Sequence, residues 1–368
     1  MPRTTYIISV ALILLAATVV TAASIQLSSS SNMSFASGGI TAFMKRESTV
    51  TGYASHNLTI SELREIKDAG GRFVRTDFTM SSVQPTSSQL FNWSHLDTKV
   101  AAASAQGLQV LGILDYSPQW NAHPGCIVGS PNQCAPADPT AFANYAAAAA
   151  AHFPQVTYWE IWNEPNLSQF WSPSPSSTDY VIMLNSAYAA IKAVAPNDIV
   201  IAGALSRARD IAGVEIAPTT FVTSMYANGA RFDILSLHPY TYPFSPDTAN
   251  SGNGWPDVAT IRATMVANGD SAKKIWITEL GVPTCGPGNA SAVDAQPFTR
   301  NDYMTEAAQR AIFSEVITDI KSVSYIGAFF VYEIRDDNSN DPSTRENCFG
   351  IFHSDNRPKP AFSAIRSD

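Results

Sequence analysis

The chain has 368 residues, 45% of them hydrophobic and 15% charged. That supply of apolar side chains is enough for a large packed core and argues against a disordered chain. Its 23 Lys and Arg against 31 Asp and Glu leave a formal charge of -8 and a sequence pI near 5.2. With no basic run interleaved with aromatics, this balance argues against a nucleic-acid partner and for a neutral one.

Residues 1–23 begin with Arg3, continue as the uncharged apolar run Tyr6 to Val20 and end in the small residues Thr21, Ala22 and Ala23. This is the pattern of a secretory signal peptide cleaved near Ala23, and it implies a secreted or cell-envelope location. An uncleaved anchor is the alternative, because the run approaches the roughly 17 residues of a thin membrane crossing. After cleavage no segment long and apolar enough to span remains. Residues 24–37 are Ser-rich and patternless, a flexible lead-in.

From residue 38 onward, short β-branched and aromatic runs alternate with helical patterns. The expected strands are Gly39 to Met44, Phe73 to Phe78, Gln109 to Asp115, Val156 to Asn163, Ile199 to Ala204, Phe232 to His238, Lys274 to Glu279 and Ile326 to Tyr332. Between them lie helical patterns at Ile60 to Ala69, Leu96 to Ala105, Thr140 to His152, Asp179 to Ala195, Thr219 to Ala227, Pro256 to Ala267 and Asn301 to Lys321. This repeat closes most simply as a single α/β domain, a (β/α)8 TIM barrel over residues 38–368. A doubly wound open sheet is the rival, but no Gly-rich phosphate loop follows the first strand.

The chemistry-bearing residues cluster where such a barrel would display them. Arg75, Asp77, Asp115, Asn163, Glu164, His238, Glu279 and Glu333 all fall at or near the C-terminal ends of expected strands. In Tyr158-Trp-Glu-Ile-Trp-Asn-Glu-Pro-Asn166, Pro165 halts the strand where Asn163 and Glu164 stand side by side. Far downstream, Lys274-Ile-Trp-Ile-Thr-Glu-Leu-Gly281 ends in a second carboxyl, Glu279. Two strand-end carboxyls suit glycoside cleavage, in which one protonates the leaving oxygen while the other attacks the anomeric carbon or activates water. Glu160 is a poor partner for Glu164, since four strand residues span roughly 13 Å; it reads as a buried, paired carboxylate.

The four cysteines suggest two disulfides in an exported chain. Cys126 and Cys134 close a short loop, and in a barrel Cys285 and Cys348 follow neighbouring strands. A zinc site is the competing idea, but no Cys-x-x-Cys or His cluster supports it; neither metal nor cofactor is expected.

Five segments together resemble a known family. They are Gly71-Arg-Phe-Val-Arg-Thr-Asp-Phe78, Trp159-Glu-Ile-Trp-Asn-Glu-Pro-Asn166, Leu235-Ser-Leu-His-Pro-Tyr240, Trp276-Ile-Thr-Glu-Leu-Gly281 and Tyr332-Glu-Ile-Arg-Asp-Asp337. In this order, from about Gly38 to Phe362, the chain resembles the retaining glycoside hydrolases of clan A, in particular the family 39-like group that includes exopolysaccharide hydrolases of the PslG type. The resemblance implies that Glu164 is the acid/base and Glu279 the nucleophile. It further implies that Asn163 holds the substrate 2-hydroxyl, that Arg75 keeps Glu279 ionised, and that His238 and Tyr240 reach the nucleophile and sugar. Trp120 and Tyr332 would stack on sugar faces. Trp171 and Trp255, in long loops, would stack likewise or pack within their loops. Met80 stands where Trp is expected, which bears on one wall of the cleft, while Glu333, Asp336 and Asp337 read as structural or subsite residues.

These expectations describe a monomeric hydrolase acting on a poly- or oligosaccharide, with a lean towards internal cleavage in an open cleft. An inverting enzyme, a catalytically silent carbohydrate-binding barrel and a transglycosylase with the same residues are the alternatives. The sugar and its linkage are not legible. Of the Asn-x-Ser/Thr sequons, Asn166 stands beside the expected acid, an unsuitable place for a glycan.

Overall fold

In a computed structural model of the chain, described for residues 51–55, 58–129, 133–284, 304–341 and 345–366, eight parallel strands close into a barrel in sequence order. They are β1 (Gly52–Ala54), β2 (Phe73–Thr79), β3 (Gln109–Asp115), β4 (Tyr158–Ile161), β5 (Ile199–Ser206), β6 (Ile234–His238), β7 (Ile275–Leu280) and β8 (Ile326–Val331). The helices are α1 (Ile60–Asp68), the single turn α2 (Met80–Val83), α3 (Ser94–Ala105), α4 (Pro139–His152), α5 (Ser177–Val194), α6 (Pro218–Ala227), α7 (Trp255–Ala267), α8 (Glu306–Ser322) and α9 (Pro360–Arg366). The barrel expected from the alternation of strands and helices is therefore present.

The first strand lies elsewhere than expected. Gly39 to Met44 falls outside the described residues, and the barrel is closed by Gly52–Ala54, which pairs with Phe73 to Arg75 on one side and with Phe330 and Val331 on the other. Three residues carry no readable alternation. Gly52 is required there, because a Cβ would meet the Phe330 ring at 2.6 Å.

Helix boundaries follow local chemistry. Thr59 opens α1 with a capping box, its hydroxyl accepting from the Glu62 amide while Glu62 accepts from the Thr59 amide at 2.6 Å. Asp138 caps α4 with Pro139 in its first turn, and Ser176 caps α5. The helices bury Tyr145, Tyr180, Phe221 and Phe313 against the outer side of the sheet, which presents Phe78 and Trp159, all fully buried.

Inside the barrel the floor is apolar: Phe73, Leu111, Ile201, Trp276, Ala328 and Phe330 form a cluster of their own. Because side chains alternate along a strand, Phe73, Arg75 and Asp77 of β2 share this inner face, as do Leu111, Ile113 and Asp115 of β3. The interior thus turns from hydrocarbon to ionisable groups on the way to its C-terminal rim.

Cys126 and Cys134 are joined in a disulfide. Cys285 lies outside the described residues, so its expected pairing with Cys348 is not described; the neighbouring Thr284 amide donates to the Cys348 carbonyl at 3.0 Å. The expected signal peptide and lead-in likewise lie outside the described residues. Among those that are described, no helix is long and apolar enough to cross a membrane.

Candidate active site

Strand β4 ends at Ile161, earlier than Pro165 would require. Trp162 takes φ 70° and Glu164 φ 47°, left-handed values unusual for such residues and common where a site holds its side chains under constraint. The turn breaks strand parity. Glu160 faces the barrel interior, whereas Trp162 packs outward against Phe142 and Trp171, and Glu164 is lifted onto the rim. A bulge in β5 receives this turn: Gly203 at φ 108° and Ala204 at φ 51° shift the register, and the Ala204 carbonyl accepts from the Glu164 amide at 3.1 Å.

On β7, Glu279 is the penultimate residue of the strand. Gly281 follows it because β8 passes so close that a Cβ would lie 1.7 Å from the Tyr332 carbonyl oxygen. Glu279, Glu164 and His238 each bring a ligating atom within 4.8 Å of the others. The two widely separated carboxyls therefore meet.

Arg75 organises the layer beneath. Its Nε donates to Glu160 at 2.7 Å, one terminal nitrogen donates to Glu279 at 2.5 Å and the other to Asn163 Oδ1 at 3.0 Å. All three charged groups are buried. Burial works against the guanidinium's charge, but Glu160 and Glu279 outweigh it and push the Arg75 pKa up. Glu160 is thus the buried paired carboxylate its sequence position implied. Glu279 gains a second donor in Tyr240, whose hydroxyl donates to its other oxygen at 2.7 Å.

His238 is fully buried and does not line the cleft, so it is not placed to touch substrate as expected. Its Nδ1 lies 2.9 Å from Glu164 and 3.5 Å from Glu279, and Nε2 lies 3.2 Å from the Thr278 hydroxyl. Burial pushes its pKa down to about 4, so the ring between the carboxyls is neutral at neutral pH. Glu164 moves the other way: burial raises its pKa to about 7, against the opposing effects of a Ser206 hydrogen bond and of Arg75, Arg345 and Arg207. The indoles of Trp159 and Trp162, its neighbours in sequence, lie on the helix side of the sheet, against Phe78 and Phe142.

These groups open into a cleft of about 470 Å³ lined by Arg75, Asp77, Tyr116, Asn163, Glu164, Tyr240, Tyr242, Glu279 and Tyr332, together with Arg207, Arg345 and Glu346. Tyr116 and Phe170 stack at 6.4 Å on one wall, and Tyr240, Tyr242, Tyr332 and Phe349 pack edge to face on the other. Asn163 also donates to the Tyr116 hydroxyl at 3.1 Å.

Trp120 is not part of this lining. Its indole N–H donates to the Gln84 carbonyl at 2.7 Å, and the ring packs on the outer core. Trp171 is buried beside a separate groove, and Trp255 donates to Asp319 outside the barrel. Met80 is fully buried in the outer core, so its departure from Trp does not shape the cleft. Asp336 is held by Lys359 at 2.7 Å, a structural role. Asn166 is fully buried and donates to two backbone carbonyls, an arrangement that leaves no room for a glycan. The sequence reading missed Tyr116, Phe170, Arg207, Tyr242 and Arg345. Tyr116 and Arg207 directly follow strand ends and were findable by that rule; the others come from long loops.

No family profile and no curated protein matches the sequence. Solved structures do match. A family 39 glycoside hydrolase from Bacteroides cellulosilyticus superposes over 87% of this chain and 63% of its own, with TM-score 0.66 and 23% identity. A monomeric beta-xylosidase from Caulobacter crescentus matches over 87% and 67% of the two chains, with TM-score 0.64 and 17% identity. Xylanase 10B from Thermotoga petrophila matches over 87% and 93%, with TM-score 0.58 and 15% identity. The chain shares the (β/α)8 barrel fold of these enzymes. It spans about two thirds of the length of the family 39 enzymes it matches, and at these identities the likeness concerns fold.

Proposed function

We propose that the protein is a retaining glycoside hydrolase that cleaves O-glycosidic bonds in a polysaccharide or oligosaccharide. The observation that carries this reading is the approach of Glu164 and Glu279 to within 4.8 Å across one cleft. Retaining enzymes hold their carboxyls about 5 to 5.5 Å apart, whereas inverting enzymes need about 6.5 to 9.5 Å to admit a water between them. The arrangement therefore favours direct attack by a carboxylate over activation of water.

In the proposed cycle the Glu279 carboxylate, aimed by Arg75 and Tyr240, attacks the anomeric carbon as Glu164 protonates the departing oxygen. Water then releases the sugar ester, with Glu164 now taking a proton. A carboxyl with a pKa of about 7 serves both directions near neutral pH. Asn163, its Oδ1 held by Arg75 and its amide N–H by Tyr116, lines the cleft and would hold the 2-hydroxyl. His238 acts from behind, as a neutral spacer and hydrogen-bond partner to the acid.

The finer resemblance to the exopolysaccharide hydrolases, the aromatic walls and the solved xylanase and xylosidase relatives together support a neutral, hydroxyl-rich glycan as substrate. The Cys126–Cys134 disulfide fits the oxidising location proposed from the N-terminal segment. The test is a panel of cell-wall and exopolysaccharide glycans incubated with wild type, Glu164→Ala and Glu279→Ala. Wild type should release oligosaccharides, Glu279→Ala none, and Glu164→Ala should spare aryl glycosides whose leaving group needs no proton. Equal loss on every leaving group would remove Glu164 from the role of acid.

A further inference from the structure

The two aromatic walls of the cleft are tied to different carboxyls. Tyr240 donates to Glu279 and packs edge to face on Tyr332, so that wall stands beside the proposed nucleophile. The wall of Tyr116 and Phe170 is built from the chain around Glu164. Two linked turns lead to it from the acid: the Leu167 amide donates to the Glu164 carbonyl at 3.1 Å, and the Phe170 amide to the Leu167 carbonyl at 3.0 Å. The Trp162 indole N–H holds the Phe170 carbonyl at 2.7 Å, and the Phe170 ring lies within 16° of parallel to that of Tyr116. Leu167, Gln169 and Phe170 all line the cleft; Gln169 is exposed and the other two are half-buried.

Double displacement divides a substrate in the same way. The sugar whose anomeric carbon is attacked sits over the nucleophile, and the departing oxygen, with the sugar it carries, lies by the group that protonates it. An apolar, aromatic face suits the C–H groups of that second sugar, and an amide such as that of Gln169 suits its hydroxyls. This face is also held from outside the cleft. The segment from Gln133 to Ala135 runs alongside residues 169–172: the Gln133 amide donates to the Gln169 carbonyl at 2.7 Å, the Ser172 amide to the Gln133 carbonyl at 2.8 Å and the Ala135 amide to the Ser172 carbonyl at 3.0 Å. Cys134, at the centre of this pairing, is fully buried and bonded to Cys126.

We infer that Tyr116, Leu167, Gln169 and Phe170 form the subsite for the sugar on the leaving side of the scissile bond, and that the Cys126–Cys134 disulfide positions this subsite through the backbone pairing. The ligand class is a chain of neutral sugars with at least one residue beyond the bond that breaks, which rests on the hydrolase reading and narrows its substrate. A glycone with no sugar attached on that side forgoes the contacts of the subsite.

The probes are the shortest oligosaccharide that wild type cleaves and the glycosyl fluoride of the same glycone, which carries no leaving sugar. Phe170→Leu removes the flat face but keeps an apolar side chain, and should lower the ratio of kcat/KM for the oligosaccharide to that for the fluoride by about 10-fold or more. Phe170→Tyr keeps the ring and should restore most of that ratio. Gln169→Ala, at an exposed position where packing is not at stake, should lower it by about 2- to 10-fold. Replacing Cys126 and Cys134 together by Ser leaves a side chain of the subsite to be ordered on binding. The KM for the oligosaccharide should then rise by about 2- to 10-fold, with kcat unchanged and the KM for the fluoride unmoved.

An unchanged ratio in Phe170→Leu and Gln169→Ala, whether both activities fall or neither does, overturns the subsite. A double Ser variant in which both KM values move, or neither, overturns the positioning role, as does one that fails to fold. Glu279→Ala separates the two levels of argument. If it still hydrolyses the oligosaccharide, the hydrolase reading fails; if it is dead while the ratios of the other variants stay at the wild-type value, only this inference fails.

Discussion

Replacing Arg75 by Met tests the buried network that joins fold to chemistry. The side chain is 2% exposed and donates to Glu160, Glu279 and Asn163. Methionine fills much of the same volume but strands two carboxylates in the barrel interior, one of them, Glu160, fully buried. Removing one partner of a buried ion pair costs about 3 to 5 kcal/mol, because the remaining charge stays without compensation. For a domain of this size that corresponds to a fall in melting temperature of roughly 5 to 15 °C. Activity should fall further than stability explains: Glu279 loses the cation that orients it, and misplacement of a reacting group by about 1 Å costs about 100-fold. Thermal unfolding and kcat on an aryl glycoside, both measured well below the variant's melting point, read the two effects separately. Adding Glu160→Gln removes one of the stranded charges, so the double variant should regain about half of the lost stability or more while kcat stays low. An Arg75→Met variant as stable and active as wild type, or a double variant that regains both properties together, would refute the reasoning.

Other outcomes follow from the same geometry. The basic limb of the kcat/KM profile should titrate near pH 7, where Glu164 loses its proton, and should vanish in Glu164→Gln. Because burial raises that pKa in the folded state above its unfolded value of about 4.3, the native state binds more protons between those pH values. Its contribution to stability is therefore greatest below about pH 4 and declines as pH rises to about 7, so Glu164→Gln should stabilise the protein at pH 8 by about 4 kcal/mol at most, read from denaturant titrations. Tyr240→Phe removes the 2.7 Å bond to Glu279; kcat should drop about 10- to 100-fold with little change in melting temperature. Replacing both Cys126 and Cys134 by Ser opens a loop of separation 8 and should cost about 2 kcal/mol of stability on a chain-entropy estimate. It should leave kcat unchanged, since neither residue lines the cleft.

Legibility followed the strength of each physical signal. Strands β2 to β8 were readable because each is a run of apolar, mostly β-branched or aromatic residues long enough to cross the barrel. Strand β1 was not, since Gly-Tyr-Ala is too short to show a period and is held by its two neighbours. Glu164, Glu279, Arg75 and Asn163, which line the cleft, stood out as candidates because polar residues at the ends of apolar strands have few structural uses. The aromatics were harder. An indole suits a sugar face and a protein core equally, and Trp120, Trp159 and Trp162 all went to cores. His238 was recognised as part of the site, but its burial beneath the carboxyls depends on the turn at Trp162 to Glu164, which no local pattern announces. Arg345 enters from a loop far along the chain, and only tertiary structure brings it to the cleft.

The most direct test is capture of the covalent sugar ester. A 2-deoxy-2-fluoro glycoside with a good leaving group slows both steps, release of the ester more severely, so that the intermediate accumulates, and proteolysis with mass spectrometry locates the added mass. The account predicts one sugar on the peptide carrying Glu279, none on Glu279→Ala, and inactivation that tracks loss of turnover. A label on any other carboxyl, or turnover with inversion at the anomeric carbon and no label, would contradict it.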